Sequence, residues 1–171
     1  MLCREARMNS RRLNTLVLLL MVLAMASPAS ANQARPLTSE CVVGAASQHG
    51  VHVDILLAIL MVEGGRVGHN SRANKNGSYD IGPFQINSIH LGDLSGLGVS
   101  EAALRNDGCV NAQVAAWHLR RVLTPEVLAT VQDGDSYLSA IARYHSVNQP
   151  YNRIYAEKLR KALERLNGGT Q

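Results

Sequence analysis

The stretch DILLAILMVEGG, Asp54 to Gly65, constrains this chain more than any other part of it. Ile55 to Val62 are apolar without a break, and the run ends on a glutamate, Glu63, followed by two glycines. Read as a helix with Asp54 as N-cap and Gly64-Gly65 as its stop, it is apolar on every face. Such a helix belongs at the centre of a core, with the other elements wrapped around it. It also carries Glu63 straight out of that core. Flanked by Ile59, Leu60 and Val62, the carboxylate is poorly solvated. Desolvation disfavours its charged form and raises its pKa, which suits a general acid working near neutral pH. The plainer reading is a last-turn glutamate that reaches past its neighbours to water.

The N-terminus is of a different kind. MLCREARMNSRR is basic, Leu13 to Ala26 is a mostly apolar run of 14 residues, and Ala29-Ser30-Ala31 supplies a small-residue cleavage site. The order is that of a secretory signal peptide over 1–31, and the apolar run is short for a bilayer span; the alternative is an uncleaved N-terminal anchor. The leader holds four of the 17 Lys and Arg and one of the 13 Asp and Glu, so the formal charge falls from +4 to +1 without it. The basic balance is therefore poor support for a nucleic-acid partner. Of the 171 residues, 140 remain beyond residue 31, enough for one domain with a substantial core. Residues 32–37 read as a flexible start and 38–171 as the folded domain.

Cys3 departs with the leader, leaving Cys41 and Cys109. In an exported chain two cysteines most simply form one disulfide; the alternative is a pair of buried free thiols. A metal site would need further ligands at suitable spacing. Only His49 and His52 lie close together, and Gly50 between them breaks the helix that would align them. No metal and no cofactor is expected.

Helical signals recur along the rest of the chain. TSECVVGAASQHG has Thr38 or Ser39 as N-cap and Gly50 as stop, SEAALRN opens on the cap Ser100, and NAQVAAWHLRRVL repeats apolar residues at helical spacing. DSYLSAIARYHS is a further helix, and a long amphipathic one runs from Pro150 to Gly168. Arg66 to Gly82 is rich in Gly, Asn and Ser and reads as loop, and strand-type alternation is scarce. The chain is mainly α, a single domain with a long central loop.

Within GPFQIN, Gln85 and Asn87 lie two apart, so an extended backbone presents both to one face and Phe84 and Ile86 to the other. Two amides beside a carboxylate suit the hydroxyl and acetamido groups of sugars; the alternative is an ordinary loop packed by its Phe and Ile. NKNGSYD mimics part of a calcium loop, but placing Gly77 at the loop glycine puts Arg72 at the first ligand position and Pro83 at the last, which excludes that motif. Trp117, on an apolar helical face, reads as core. His118 and His145 read as structural, and Lys158 to Arg165, interleaved with Glu157 and Glu164, as a solvated face.

Taken together, Glu63, NGSYDIGPFQIN and AIARYHS resemble three ordered motifs of the lysozyme-like lytic transglycosylases, in particular the small exported enzymes of secretion, conjugation and pilus systems. The resemblance runs from about Cys41 to Tyr144 and includes both cysteines, where such proteins place a disulfide. It implies a goose-type lysozyme-like fold and cleavage of peptidoglycan glycan strands in the periplasm. It also implies partners among the components of such a machine, with membrane contact only during export. Carried onto this sequence, Glu63 is the acid and base, Gln85 and Asn87 line the glycan groove, and Tyr144 stands near Glu63, bonding it or the substrate. Gly64, Pro83-Phe84 and His145 depart from the commoner pattern, in which Ser, Leu-Met and Asn stand. A hydrolysing muramidase and a non-catalytic peptidoglycan-binding assembly module are the alternatives.

Overall fold

The computed structural model describes residues 34–168. The signal peptide expected over 1–31 and its cleavage site lie outside the described residues. Of the flexible start expected over 32–37, the described part is fastened to the domain. Arg35 N–H donates to the Asn106 carbonyl (2.7 Å), Gly108 N–H donates back to the Arg35 carbonyl (2.9 Å), and Leu37 packs beside Gly108.

Helix α1 spans Ser39–His49, with the Thr38 hydroxyl accepting from Cys41 N–H and Gly50 closing it at φ 63°. Helix α2 spans Val53–Glu63; its N-cap is His52, whose Nδ1 accepts from Asp54 N–H, two residues before the expected cap. Gly64 ends it in the left-handed region (φ 61°), where a glycine loses nothing sterically. Leu56, Ala58 and Ile59 are completely buried, as an apolar helix at a core centre must be. The all-round burial fails in the last turn, where Met61 is 43 % exposed. The helix therefore surfaces at the residue before Val62 and Glu63.

After α2 comes the central loop, which is not wholly irregular. It carries a small antiparallel hairpin, β1 (Asp80–Ile81) with β2 (Ile86–Asn87), in which Asp80 faces Asn87 and Ile81 faces Ile86. A 3-10 turn, Ser88–His90, leads into α3 (Leu91–Gly96), then α4 (Glu101–Asn106) and α5 (Gly108–Val122). Helix α5 begins before the expected Asn111 because Asp107 caps it, accepting from Cys109 and Val110 N–H. A short α6 (Pro125–Leu128) precedes α7 (Gly134–Ile141), which opens on a reciprocal cap between Asp133 and Ser136 and ends in a 3-10 turn, Ala142–Tyr144. Helix α8 spans Tyr151–Gly168. Helix α2 lies between α1 and α8, α5 packs on α1, and α7 packs on α8. The result is a mainly α fold of the lysozyme-like kind, with Cys41 of α1 joined to Cys109 of α5. That bond closes a loop of 68 residues, worth roughly 4 kcal/mol by chain entropy.

The hairpin is locked to the helices by one residue. Asn111 on α5 is fully buried; its Oδ1 accepts from Phe84 N–H (2.9 Å) and its Nδ2 donates to the carbonyls of Ile81 and Leu104 (3.0 Å each). A side chain on Gly82 would strike this amide, so the turn between the strands requires glycine there.

Candidate active site

Phe84 and Ile86 are buried in the core, and their neighbours Gln85 and Asn87 face a groove of about 680 Å³. The two amides thus share a face as the alternation predicts, although Gln85 achieves it from a turn (φ 51°) and not from extended backbone. Glu63 lines the same groove from the end of α2, together with Asp80, Tyr144, His145 and Tyr151. Residues far apart in sequence are brought together because the hairpin folds against α5 while α8 crosses α2.

Glu63 is half-buried, and its carboxyl is pushed up to about 7. Burial is the largest cause; the negative charge of Asp80 adds to it, while a hydrogen bond from Tyr155 and the charge of Lys158 oppose it. The bond is short: the Tyr155 hydroxyl donates to Glu63 Oε1 at 2.6 Å. Tyr155 is itself buried on α8, and His145 stacks on its ring with centroids 4.8 Å apart and planes 4° apart. Carboxylate, phenol and imidazole form one supported stack.

Tyr144 stands near Glu63 as expected, close enough for the carboxylate charge to act on it. Its ring lines the groove, but its hydroxyl donates to the Phe84 carbonyl (2.9 Å), holding the hairpin turn and leaving Glu63 to Tyr155. Asn87 is also engaged within the protein. Its Nδ2 donates to Asp80 Oδ1 (2.7 Å) and Ser78 Oγ (3.3 Å), and its Oδ1 accepts from Ile89 N–H (3.1 Å). Gln85 Nε2 donates to the Gly82 carbonyl (2.7 Å), and its Oε1 makes no hydrogen bond among the described residues. Gly65 has a packing role: a side chain there would strike the Gly82 carbonyl and the Gln85 amide.

Sequence reasoning missed Tyr155. The signal was present, because Asn152, Tyr155, Ala156, Leu159 and Ala162 make the buried stripe of α8, and a tyrosine in such a stripe needs a partner for its hydroxyl. His118 was read as merely structural. It lines the groove between His90 and Tyr144, with ring centroids at 4.6 and 5.0 Å, and burial with the neighbouring His90 lowers it to about 4. It is neutral at physiological pH, and its Nε2 lies 3.3 Å from the Tyr144 carbonyl. Lys158, read as part of a solvated face, is exposed but close enough to act on Glu63. Trp117 is half-buried under the Arg121 guanidinium (4.6 Å) and lies outside the groove. Of the chain's one Phe, one Trp and five Tyr, only Tyr151 is exposed (61 %), and it stands on the groove wall. Among the described residues no group of three or more His, Cys, Asp or Glu is placed to hold a metal ion.

The chain is similar to invasion protein IagB of Salmonella typhimurium, with 27 % identity over 139 residues that cover 76 % of this chain and 79 % of that protein. It is 34 % identical to invasion protein IagB of Salmonella typhi over 82 residues, 46 % of this chain and 49 % of the relative. No family model matches the chain.

Proposed function

We propose that the protein is a peptidoglycan lytic transglycosylase, acting in the periplasm with Glu63 as its single general acid and base. The observation that carries this reading is a half-buried carboxyl, protonated near neutral pH, at the wall of an open polar groove. A glycan strand fits the groove's chemistry. Exposed Tyr151 offers a ring face to a sugar, and the free Gln85 oxygen accepts from a hydroxyl or acetamido N–H. Glu63 gives its proton to the oxygen linking MurNAc to GlcNAc as the bond from that oxygen to C1 breaks. The resulting carboxylate takes the proton of the MurNAc C6 hydroxyl, whose oxygen closes onto C1 and forms the 1,6-anhydro ring. Glu63 ends protonated, ready for another turnover. Tyr155, which donates to Oε1, is a positioning residue that fixes the carboxyl and steadies its anion between the two steps. The same reading extends to a role in opening the wall locally for a secretion apparatus, a machine of which this protein would be a partner; the similar Salmonella proteins are named invasion proteins.

One observation favours a second reading. Asp80 lines the same groove and its charge acts on Glu63, as a second carboxylate would in a hydrolysing muramidase. Digestion of purified sacculi with mass spectrometry of the products separates the two, since only the transglycosylase releases anhydro-muropeptides. Glu63→Gln keeps the bond from Tyr155 but has no proton to donate. Anhydro product should fall by at least about a hundredfold while the variant still sediments with sacculi. Near-normal turnover by this variant would overturn the assignment; collapse of turnover in folded Asp80→Asn, with hydrated products from the wild type, would establish the muramidase.

A further inference from the structure

A second cavity, of about 510 Å³, lies between α6, α7 and the segment that joins the 3-10 turn at Ala142–Tyr144 to α8. That turn divides its side chains, since Tyr144 faces the groove and Arg143 lines the second cavity. Arg143 is only partly exposed, its Nε is sealed from solvent without a hydrogen-bond partner, and no ion pair involves its guanidinium among the described residues. An Nε–H held this way is costly, because it has given up water without gaining an acceptor, and the rest of the guanidinium is left to meet a ligand.

The rest of the lining supplies more donors. Ser139 and Gln149 line the cavity, and neither side chain makes a hydrogen bond among the described residues. Val127 and Val147 add an apolar flank suited to a small aliphatic side chain. Glu126 stands on the same lining, but its carboxylate is occupied by the Thr124 hydroxyl at the start of α6. Its negative charge disfavours a multiply charged anion such as phosphate while tolerating a single carboxylate near the arginine. A planar guanidinium fork also matches a carboxylate in two parallel hydrogen bonds.

We propose that this cavity binds the carboxylate end of a short peptide, anchored by Arg143. Its occupant, a point that rests on the function proposed above, is the peptide borne by a glycan strand, which ends in a D-configured alanine. The cavity and the groove share the segment that carries Ser146 and Tyr151 on one side and Val147 and Gln149 on the other, so a peptide can lie beside the sugars that carry it.

The test is titration of the full chain with N-acetyl-D-alanyl-D-alanine, followed by calorimetry and by backbone amide shifts. Saturable binding is expected, with shifts confined to α6, α7 and residues 142–152. The C-terminal amide of the same dipeptide, and the acid with Arg143→Gln, should each bind at least about tenfold more weakly, the scale of one charge-assisted pair. Gln149→Ala should weaken binding severalfold and guards against misfolding of the arginine variant. No saturable binding to the wild type, equal binding of acid and amide, or shifts confined to the groove would overturn the site. Tighter binding of the L,L-dipeptide would overturn the wall peptide as occupant. Turnover on sacculi plays no part in this titration, so failure of the enzymatic reading and failure of the cavity are told apart.

Discussion

Glu63 keeps its proton because of a balance among four neighbours, and each term of that balance has a sign. Burial and the Asp80 charge favour the neutral acid; the Tyr155 hydroxyl and the Lys158 charge favour the anion. An enzyme that needs Glu63 protonated loses kcat/KM as pH rises through about 7. Tyr155→Phe removes a group that favours the anion, so the alkaline limb should move to higher pH. Asp80→Asn removes a repelling charge, so the limb should move to lower pH. Opposite displacements in pH profiles of kcat/KM check the assignment, and displacement of both in one direction would refute it. Most of this was unreadable beforehand. The poorly solvated carboxyl was legible, because it ends an unbroken apolar run. Tyr155 lies 92 positions away, on a helix where its spacing reads only as core. Tyr144 was placed near Glu63 by resemblance, which conveys a neighbourhood but not which hydroxyl turns to which acceptor.

Among the elements, the longer helices were legible; the short α3 and α6 and the hairpin were not. Thr38 and Ser100 cap helices with their side chains, a local chemistry that sequence displays directly, whereas the caps Asp107 and Asp133 lie just ahead of where the apolar spacing starts their helices. The strands have two residues each, too few for a period to emerge, and their turn holds a non-glycine residue, Gln85, at positive φ, which its sequence does not announce. What makes the hairpin stable is remote: the buried amide of Asn111, 27 residues beyond Phe84. Asn111→Ala leaves Phe84 N–H and the carbonyls of Ile81 and Leu104 without these partners in a dry interior. Stability should fall by about 2–4 kcal/mol, measured by urea unfolding. Because the hairpin carries Gln85 and Asn87, KM on sacculi should rise at temperatures where the variant remains folded. An unchanged urea midpoint would show that the amide is replaceable.

At the scale of the whole molecule, Glu63 is where the proposed function and folding stability conflict. The core centred on α2 could be inferred from one apolar run, but neither cavity could, because their walls are assembled from segments that meet only in the folded chain. Unfolding puts Glu63 back in water with an ordinary pKa near 4.5, whereas folding raises it to about 7. Below the lower value both states hold the proton and the residue contributes no pH dependence. Between the two values only the folded state binds it, so stability declines as pH rises, and above the higher value the loss is constant. Allowing for the partial exposure of the side chain, the full loss is on the order of 2 kcal/mol. Glu63→Gln has no charge to bury and still accepts the bond from Tyr155. It should therefore melt roughly 5–8 °C above the wild type at pH 8 and at nearly the same temperature at pH 4, by scanning calorimetry. A gain of equal size at both pH values would mean that packing and not ionisation separates the two proteins, and Glu63 would then lack the raised pKa on which the proposed chemistry depends.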